Sequence, residues 1–456
     1  MKTVELRAAA KKLGKSHRRF ASLFGRVENQ RHSLGYMRGL LLAEGRKSVE
    51  PMALVFGGPE IQAPAIEQAA VLAWQRFLTA AQWEAIVIQR EIQAVFKEEF
   101  VPSARHWPMG TVGVIDESSF PKSGKESVGV QRQWCGRLGK TENCQVGVFL
   151  VGVTPDGTAL LDHQLFLPEH GWADNPKRRK KTRVPKEIRF QTKPQIAVEL
   201  WKRSTVRFDW IIADEEYGRN GDFLDALEAD HQHYLVEVPS DTTVWIEEPT
   251  QQTPDEHVRQ VRDIAAKLPA SAWQWQKLRE GSKGPLVFAF ARLRAWAVRH
   301  RHAGPPIWLM FRNSADGNEL KYYVSNAEEN TPLETMGQVS GCRWRVEEFF
   351  EDGKTHLGMS DYEARSWTSW HHHMCLVALA HLFITQTRRE AKSQIPDLTL
   401  DMALRIVRSA MERPTLSFED ALELIKYHSQ RNRQAQMSHR KSWLAKHKSI
   451  RKKVML

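Results

Sequence analysis

The chain has 456 residues, 41% hydrophobic and 26% charged, which excludes disorder or a fibrous architecture for most of its length. At roughly 100–200 residues per domain, two to four structural units are expected. With 66 Lys+Arg against 54 Asp+Glu, the net charge of +12 favours a polyanionic partner, nucleic acid before a membrane surface. The most apolar run, Cys375 to Ile384, is far short of the ~20 residues a bilayer demands, so no membrane partner is expected.

The opening MKTVELRAAAKKLGK lacks the continuous apolar core of an export signal, so a cytoplasmic protein is expected. Residues 1 to about 105 read as helical: from Ala65 to Phe96, apolar residues recur at mixed three- and four-residue spacing with no Gly or Pro. The basic segments HRR (His17 to Arg19) and RVENQRH (Arg26 to His32) suit a DNA-facing surface or a solvated helix face. Cys135, Cys144, Cys342 and Cys375 show no Cys-x-x-Cys spacing and read as small buried thiols.

After Pro108 the pattern changes. T-V-G-V-I-D is a β-branched run ending on Asp116. QVGVFLVGV and ALLDHQLFL then flank Pro155-Asp156-Gly157, a hairpin by its turn chemistry. KRRKKTR (Lys177 to Arg183) reads as a loop, either a phosphate-binding or a solvated charge run. Pro194 to Val206 is helix-like, and Phe208 to Ala213 is another apolar strand, ending on Asp214. Strand, strand, strand, helix, strand is the order of a ribonuclease-H-like α/β core, with acids ending its first and fourth strands.

From Leu235 to Pro332 the runs YLVEV, TVWIE, LVFAFARLRAW, IWLMF and YYVSN predict a β-rich insertion. Helical pattern resumes near Gly337 and runs to Thr387, broken near Gly358. After Pro396 come helices and a basic tail, Arg431 to Leu456, which reads as a DNA-binding arm or a solvated end. The expected units are a helical N-terminal DNA-binding domain (1–105), the two parts of the ribonuclease-H-like core (106–234 and 336–395), the β-rich insertion between them (235–335), and a helical, basic C-terminal region (396–456).

Phosphodiester cleavage at neutral pH needs a nucleophile, in-line geometry and neutralisation of developing charge, all of which a pair of Mg²⁺ ions can supply. Hard cations take oxygen ligands, so carboxylates at adjacent strand ends joined by a third from a helix make a suitable cage. Asp116, Asp214 and Glu347 fit that arrangement, although each alone reads as a cap or turn residue. In G-C-R-W-R-V-E-E-F-F-E-D-G-K, about 100° per residue puts Arg343, Glu347 and Lys354 within roughly 40° of one another on a helix. A metal-binding carboxylate between two phosphate-binding cations is chemically coherent, and a surface ion-pair ladder is the plain alternative. His371, His372 and His373 cannot converge on one ion from a helix, and Lys122 to Ser127 lacks a phosphate-loop pattern, so no nucleotide cofactor is expected.

Arg-x₃-Glu-x₆-Lys, from Arg343 to Lys354, resembles the signature around the catalytic glutamate of bacterial insertion-sequence DDE transposases. That signature commonly begins with Tyr three residues before the Arg, where this chain has Ser340. The run D-E-S-S-F-P-K-S-G-K-E-S-V-G-V-Q-R-Q-W-C-G-R-L-G-K-T-E-N-C-Q-V-G-V, the element A-D-E-E-Y-G and Y-E-A-R-S-W-T-S-W-H-H-H are similar to the seven-oh-one branch of that classification. The resemblance covers most of residues 20 to 390. It implies Asp116, Asp214 and Glu347 as the catalytic triad holding two Mg²⁺ ions, with Mn²⁺ as a substitute, and Arg343 and Lys354 on DNA phosphates. It also implies a β-rich insertion in which a Trp stacks on a flipped base, for which Trp245, Trp273, Trp275 and Trp296 are candidates. The expected activity is cleavage at the ends of a mobile element and joining to target DNA, by a homodimer on double-stranded DNA. An inactive regulatory relative and a stand-alone metal-dependent nuclease remain as alternatives.

Overall fold

The structure is a computed structural model that describes residues 8, 11–56, 64–249, 257–281, 284–392, 395, 398–411 and 418–446. Among the described residues α-helices come first: α1 (Leu13–Ala21), α2 (Val27–Leu42), α3 (Val49–Phe56), α4 (Pro64–Thr79), α5 (Ala85–Glu99) and the short α6 (Val101–Ala104). A mixed sheet then begins with β1 (Val112–Pro121), β2 (Gln131–Cys135), β3 (Lys140–Thr154) and β4 (Gly157–Leu165). Helices α7 (Pro176–Lys181) and α8 (Lys193–Lys202) lead to β5 (Trp210–Ala213), α9 (Glu215–Gly218), α10 (Gly221–Ala229) and β6 (Tyr234–Val238).

The remaining strands are β7 (Thr243–Trp245), β8 (Val258–Gln260), β9 (Gln274–Gly281), β10 (Gly284–Arg299), β11 (His302–Ser314) and β12 (Leu320–Ser325), with α11 (Val261–Ala265) among them. Among the described residues these helices follow: α12 (Leu333–Gly341), α13 (Trp344–His356), α14 (Trp367–Ala391), α15 (Leu400–Ala410) and α16 (Phe418–Lys446). The sheet order is β2-β3-β1-β5-β6-β12-β11-β10-β7-β8, with β4 on β3 and β9 on β10. β5 pairs in parallel with β1 and β6, and the other pairings are antiparallel. Helical N- and C-terminal regions flanking this sheet give a ribonuclease-H-like fold with insertions, the class that the order of elements predicts.

Several boundaries differ from the sequence reading. β1 does not end on Asp116 but continues to Pro121, because β3 pairs along all of it, Asp116 opposite Phe149 and Pro121 opposite Cys144. β2 gave no strand signal, since it is a short polar edge strand with pairing on one side only. YLVEV, grouped by its sequence with the inserted strands, runs parallel to β5 as β6, and β12 adds onto its other edge, so one continuous sheet passes through both regions. KRRKKTR is largely α7 rather than loop: Pro176 opens it and the Asn175 side chain caps it by accepting from Arg178 N–H. Pro396 and residues 447–456 of the basic tail lie outside the described residues, and Arg431 to Lys446 belong to α16.

Helix α14 is the internal strut. Its start is fixed by a capping box between Ser366 and Ser369, and the apolar run from Cys375 to Ile384 is its buried middle. Among the described residues no helix is long and apolar enough to cross a membrane. The three consecutive histidines each find a separate partner: His371 meets Trp367 O at 3.0 Å, His372 meets Leu78 O and Trp83 O at 2.9 Å, and His373 meets Tyr36 Oη at 2.9 Å. Burial pushes them down to about 3, about 4 and about 3 respectively, so all three are neutral; His372 and His373 tether α14 to the N-terminal region, whereas His371 bonds back within α14.

The sheet meets α14 closely at Gly147 of β3, where an added Cβ would lie 2.8 Å from the Trp370 ring. Gly147→Ala is therefore expected to overpack this contact and destabilise the fold by about 1–3 kcal/mol. Gly124→Ala, with nothing within 4 Å of the added carbon, serves as the control. Equal urea midpoints for the two variants would show that the ring yields freely.

Candidate active site

Parallel pairing between β1 and β5 stops at Val114 and Ile212, and β5 itself ends at Ala213. β1 runs on, supported by β3 alone, so Asp116 stands just past the end of its parallel neighbour. There Asp214 caps α9, its Oδ1 accepting from Glu216 N–H at 3.0 Å, while Asp116 Oδ1 accepts from Glu117 N–H at 2.7 Å. Glu347 comes from the first turn of α13, which restarts after a break between Gly341 and Arg343.

Arg343, at the head of α13, joins these elements. One guanidinium nitrogen lies 3.8 Å from Asp116 and 4.0 Å from Asp214, and the other lies 3.9 Å from Glu347 and 3.2 Å from Glu237. Asp116, Asp214, Glu347 and Lys354 line one cavity of about 390 Å³. The structure thus brings all five residues singled out in the sequence to one place.

Burial pushes the Asp116 carboxyl up to about 8 against the pull of Arg343, and nearby Asp214 and Glu117 add to the rise. Asp214 is raised by burial too, again opposed by Arg343. Burial would lower the Arg343 guanidinium, but Asp116, Glu237, Asp214 and Glu347 together raise it. Lys354 is pushed down to about 8 by burial and then by the charge of Arg137. Carboxylates that are costly to ionise when alone, set next to open space, are suited to a cation that supplies the missing positive charge. The all-oxygen donor set matches Mg²⁺ or Mn²⁺ better than soft metals.

Behind the acids stands a layer that the sequence reading missed. Lys193 Nζ bonds Glu117 at 2.7 Å and Glu216 at 2.8 Å, and Tyr217 Oη donates to Glu117 at 2.9 Å. Burial pushes Glu117 up to about 7 despite Lys193. An added Cβ at Gly218 would lie 2.0 Å from the Glu237 carbonyl oxygen, so the Tyr and Gly of A-D-E-E-Y-G lock α9 onto β1 and β6. Glu237 also pairs with Lys321. A lone Glu inside the apolar YLVEV was the available signal, since a buried strand carboxylate needs a cation.

A cleft of about 400 Å³ adjoins the site through Arg343 and Glu347, with Arg279, Arg312, Lys321 and Arg345 on its walls. Trp344 has the Arg279 guanidinium 3.9 Å and that of Arg345 4.4 Å from its ring centre. The Nε atoms of Arg312 and Arg343 are buried without a hydrogen-bond partner among the described residues. Ser340 is in the wall, its hydroxyl donating to Gly337 O at 2.7 Å. None of the four insertion tryptophans lines the cavity of the acids among the described residues: Trp245 is buried, Trp273 packs on Phe311, Trp296 pairs with Trp245 across strands, and only Trp275 is exposed. Trp134 of β2, unnoticed as a candidate, does line it.

The basic segments are partly consumed by structure. Arg19 pairs with Glu91 and Glu98, and His17 is buried against Ser33. Arg178 stacks on Trp172, and Arg179 bonds the carbonyls of Ala173, Pro185 and Ile188. Separately, Asp222, Asp225 and His300 place three ligand atoms within 4.8 Å of one another and could hold a metal ion. His300 Nε2 already bonds Asp225 at 2.8 Å, and Arg299 pairs with the same carboxylate, so the group is also complete as an ion-pair cluster.

The raised Asp116 value has a testable sign. Its folded value exceeds the unfolded ~4, so its contribution to stability is full below about pH 4 and is lost as pH rises through about 8. With chelator present, the thermal midpoint should fall as pH is raised across that window, Mg²⁺ should restore it most at the alkaline end, and Asp116→Asn should flatten both effects. A midpoint whose pH and Mg²⁺ dependence is the same in Asp116→Asn as in the parent would contradict this.

Comparison with known proteins gives three findings. The family described as DDE superfamily endonuclease matches residues 19–299, a span that includes Asp116 and Asp214 and stops before Glu347. A probable transposase for insertion sequence element IS701 from Microchaete diplosiphon is 25% identical over 295 residues, covering 63% of this chain and 67% of that protein. The cryo-EM structure of a piggyBac transposase synaptic complex with hairpin DNA aligns over 87% of this chain and 74% of that one, at 9% identity and a TM-score of 0.38, too weak a likeness to support any argument.

Proposed function

Because the chain belongs to the DDE superfamily of endonucleases, we propose that it is a transposase of the seven-oh-one branch, which cuts double-stranded DNA at the ends of a mobile element and joins the 3′ ends to target DNA. The observation that carries the reading is the convergence of Asp116, Asp214 and Glu347 on one cavity beside Arg343 and Lys354. DNA is the partner this family implies, and the net charge of +12 suits it. Joining two ends calls for two copies of the chain on DNA.

Asp116, Asp214 and Glu347 would hold the metal. Two divalent ions bound there supply neutralisation of phosphoryl charge and a water ionised near neutral pH. Arg343, already turned toward the acids, would take a phosphate oxygen, and Lys354 would hold the neighbouring phosphate from the cavity wall. Lys193 and Tyr217 keep Glu117, and through it β1, fixed while the acids bind.

In cleavage, an oxygen–phosphorus bond forms from water as the bond from phosphorus to the 3′ oxygen breaks, leaving a 3′-hydroxyl and a 5′-phosphate. In joining, that hydroxyl attacks a target phosphodiester and a target 3′-hydroxyl leaves. One ester replaces another, so no nucleotide is consumed.

Asp116→Ala should abolish Mg²⁺-dependent cleavage of element-end DNA while binding by gel shift persists. Lys354→Ala should slow cleavage by roughly 10²–10³-fold, the usual cost of one lost transition-state contact. Labelled ends covalently joined to a target plasmid are the expected product. Cleavage without joining would leave a stand-alone nuclease, binding without cleavage would leave a regulatory relative, and cleavage retained in Asp116→Ala would overturn the assignment of the acids.

A further inference from the structure

We infer that Glu237 is a positioning residue: it anchors the Arg343 guanidinium at the rim of the three acids, so that their oxygens stay open to a divalent cation, and Lys321 of the inserted strand β12 fixes Glu237 in turn. The inference rests on the reading that Asp116, Asp214 and Glu347 hold metal.

Strand register puts Glu237 beside the site. β6 pairs in parallel with β5 as far as Val236 and Ala213, so Glu237 follows the last pair on one strand as Asp214 does on the other. On its other side Glu237 stands opposite Tyr323 of β12, and Lys321, two residues along, shares that face of the sheet. The Glu237 carboxylate is buried and both of its oxygens are taken, Oε1 by Lys321 Nζ and Oε2 by Arg343 Nη1 at 3.2 Å. It does not line the cavity of the acids. Glu237 is therefore not placed to be a further metal ligand.

The distances around Arg343 separate the carboxylate that anchors it from those that only attract it. Glu237 alone is within hydrogen-bonding distance, whereas Asp116, Asp214 and Glu347 lie 3.8, 4.0 and 3.9 Å away. Asp116 nevertheless does most to hold the charge on the guanidinium, ahead of Glu237. Arg343 is thus drawn toward the acids and tied beside them. Both Arg343 and Glu237 line the adjoining cleft, and among the described residues neither lines the cavity of the acids. A guanidinium that slid into that cavity would neutralise the carboxylates itself and compete with a metal ion. The anchor is firm because its own backbone is fixed: the Glu237 carbonyl meets Gly218 of α9 with no room for a side chain. Lys321 supplies the counter-charge that a buried carboxylate needs. The inserted strands therefore reach the acids through a relay of alternating charge, Lys321 to Glu237 to Arg343.

Mn²⁺ binding by the full chain without DNA, read from the electron paramagnetic resonance signal of the free ion, tests this. Glu237→Gln should weaken Mn²⁺ binding by about 10- to 100-fold, the usual effect of residues that orient a metal's surroundings. In an Arg343→Gln background the same change should alter affinity by no more than about twofold, as for a residue that acts only through its partner. Urea midpoints report whether each variant folds. Should Glu237→Gln not fold, Lys321→Met, at a partly exposed position, carries the test: leaving Glu237 to Arg343 alone should tighten Mn²⁺ binding, and that gain should vanish with Arg343→Gln. A Glu237→Gln loss of equal fold in both backgrounds, or a Lys321→Met gain that survives Arg343→Gln, overturns the anchor and leaves the metal site standing. Mn²⁺ binding that is absent, or unchanged by Asp116→Asn, refutes the reading of the acids and the anchor with it.

Discussion

Four carboxylates from four separate elements face a single guanidinium, and that arrangement governs the architecture around it. Asp116 comes from β1, Asp214 from the end of β5, Glu237 from β6 and Glu347 from α13, and Arg343 lies within 4.0 Å of all of them. Gathering so many like charges costs desolvation and repulsion that one arginine only partly offsets, and the raised Asp116 and Asp214 values express the remainder. The site is thus short of positive charge in a defined place, which suits it to cations and to the phosphates that accompany them.

Holding the arrangement takes a second set of interactions. Lys193 ties Glu117 to Glu216, and Tyr217 ties α9 to the same Glu117. Gly218 lets the backbone of α9 touch β6 at Glu237. Two Asp on adjacent parallel strands are therefore fixed by near neighbours in sequence, Glu117, Glu216, Tyr217 and Gly218, and by the distant Lys193, and a change there would alter the spacing of the acids without touching one.

The sheet and α14 set the larger frame. Because β12 pairs onto β6, the inserted strands extend the sheet instead of forming a separate layer, and Lys321 of β12 reaches Glu237 directly. On the opposite side, His372 and His373 bind α14 to the N-terminal helices through neutral hydrogen bonds that need no counter-charge in the core. The hydrophobic run from Cys375 to Ile384 serves the same frame as the middle of a fully packed helix.

Local pattern alone determined a good deal. Strand runs ahead of Asp116 and Asp214, the hairpin at Pro155-Asp156-Gly157 and the shared helical face of Arg343, Glu347 and Lys354 follow from periodicity and turn chemistry, which depend on near neighbours only. The element order also carried the fold class. What the sequence could not determine depends on contacts between distant segments. The continuation of β1 past Asp116 is imposed by β3, and the polar strand β2 exists only because β3 offers it an edge. The enrolment of YLVEV in the central sheet requires β5, more than twenty residues earlier, and the role of Glu237 requires Arg343, 106 residues later. Trp134 read as one aromatic among 16 tryptophans until the fold placed it in the cavity of the acids. A side chain's period is written in its neighbours, whereas its partners are fixed only when the sheet closes.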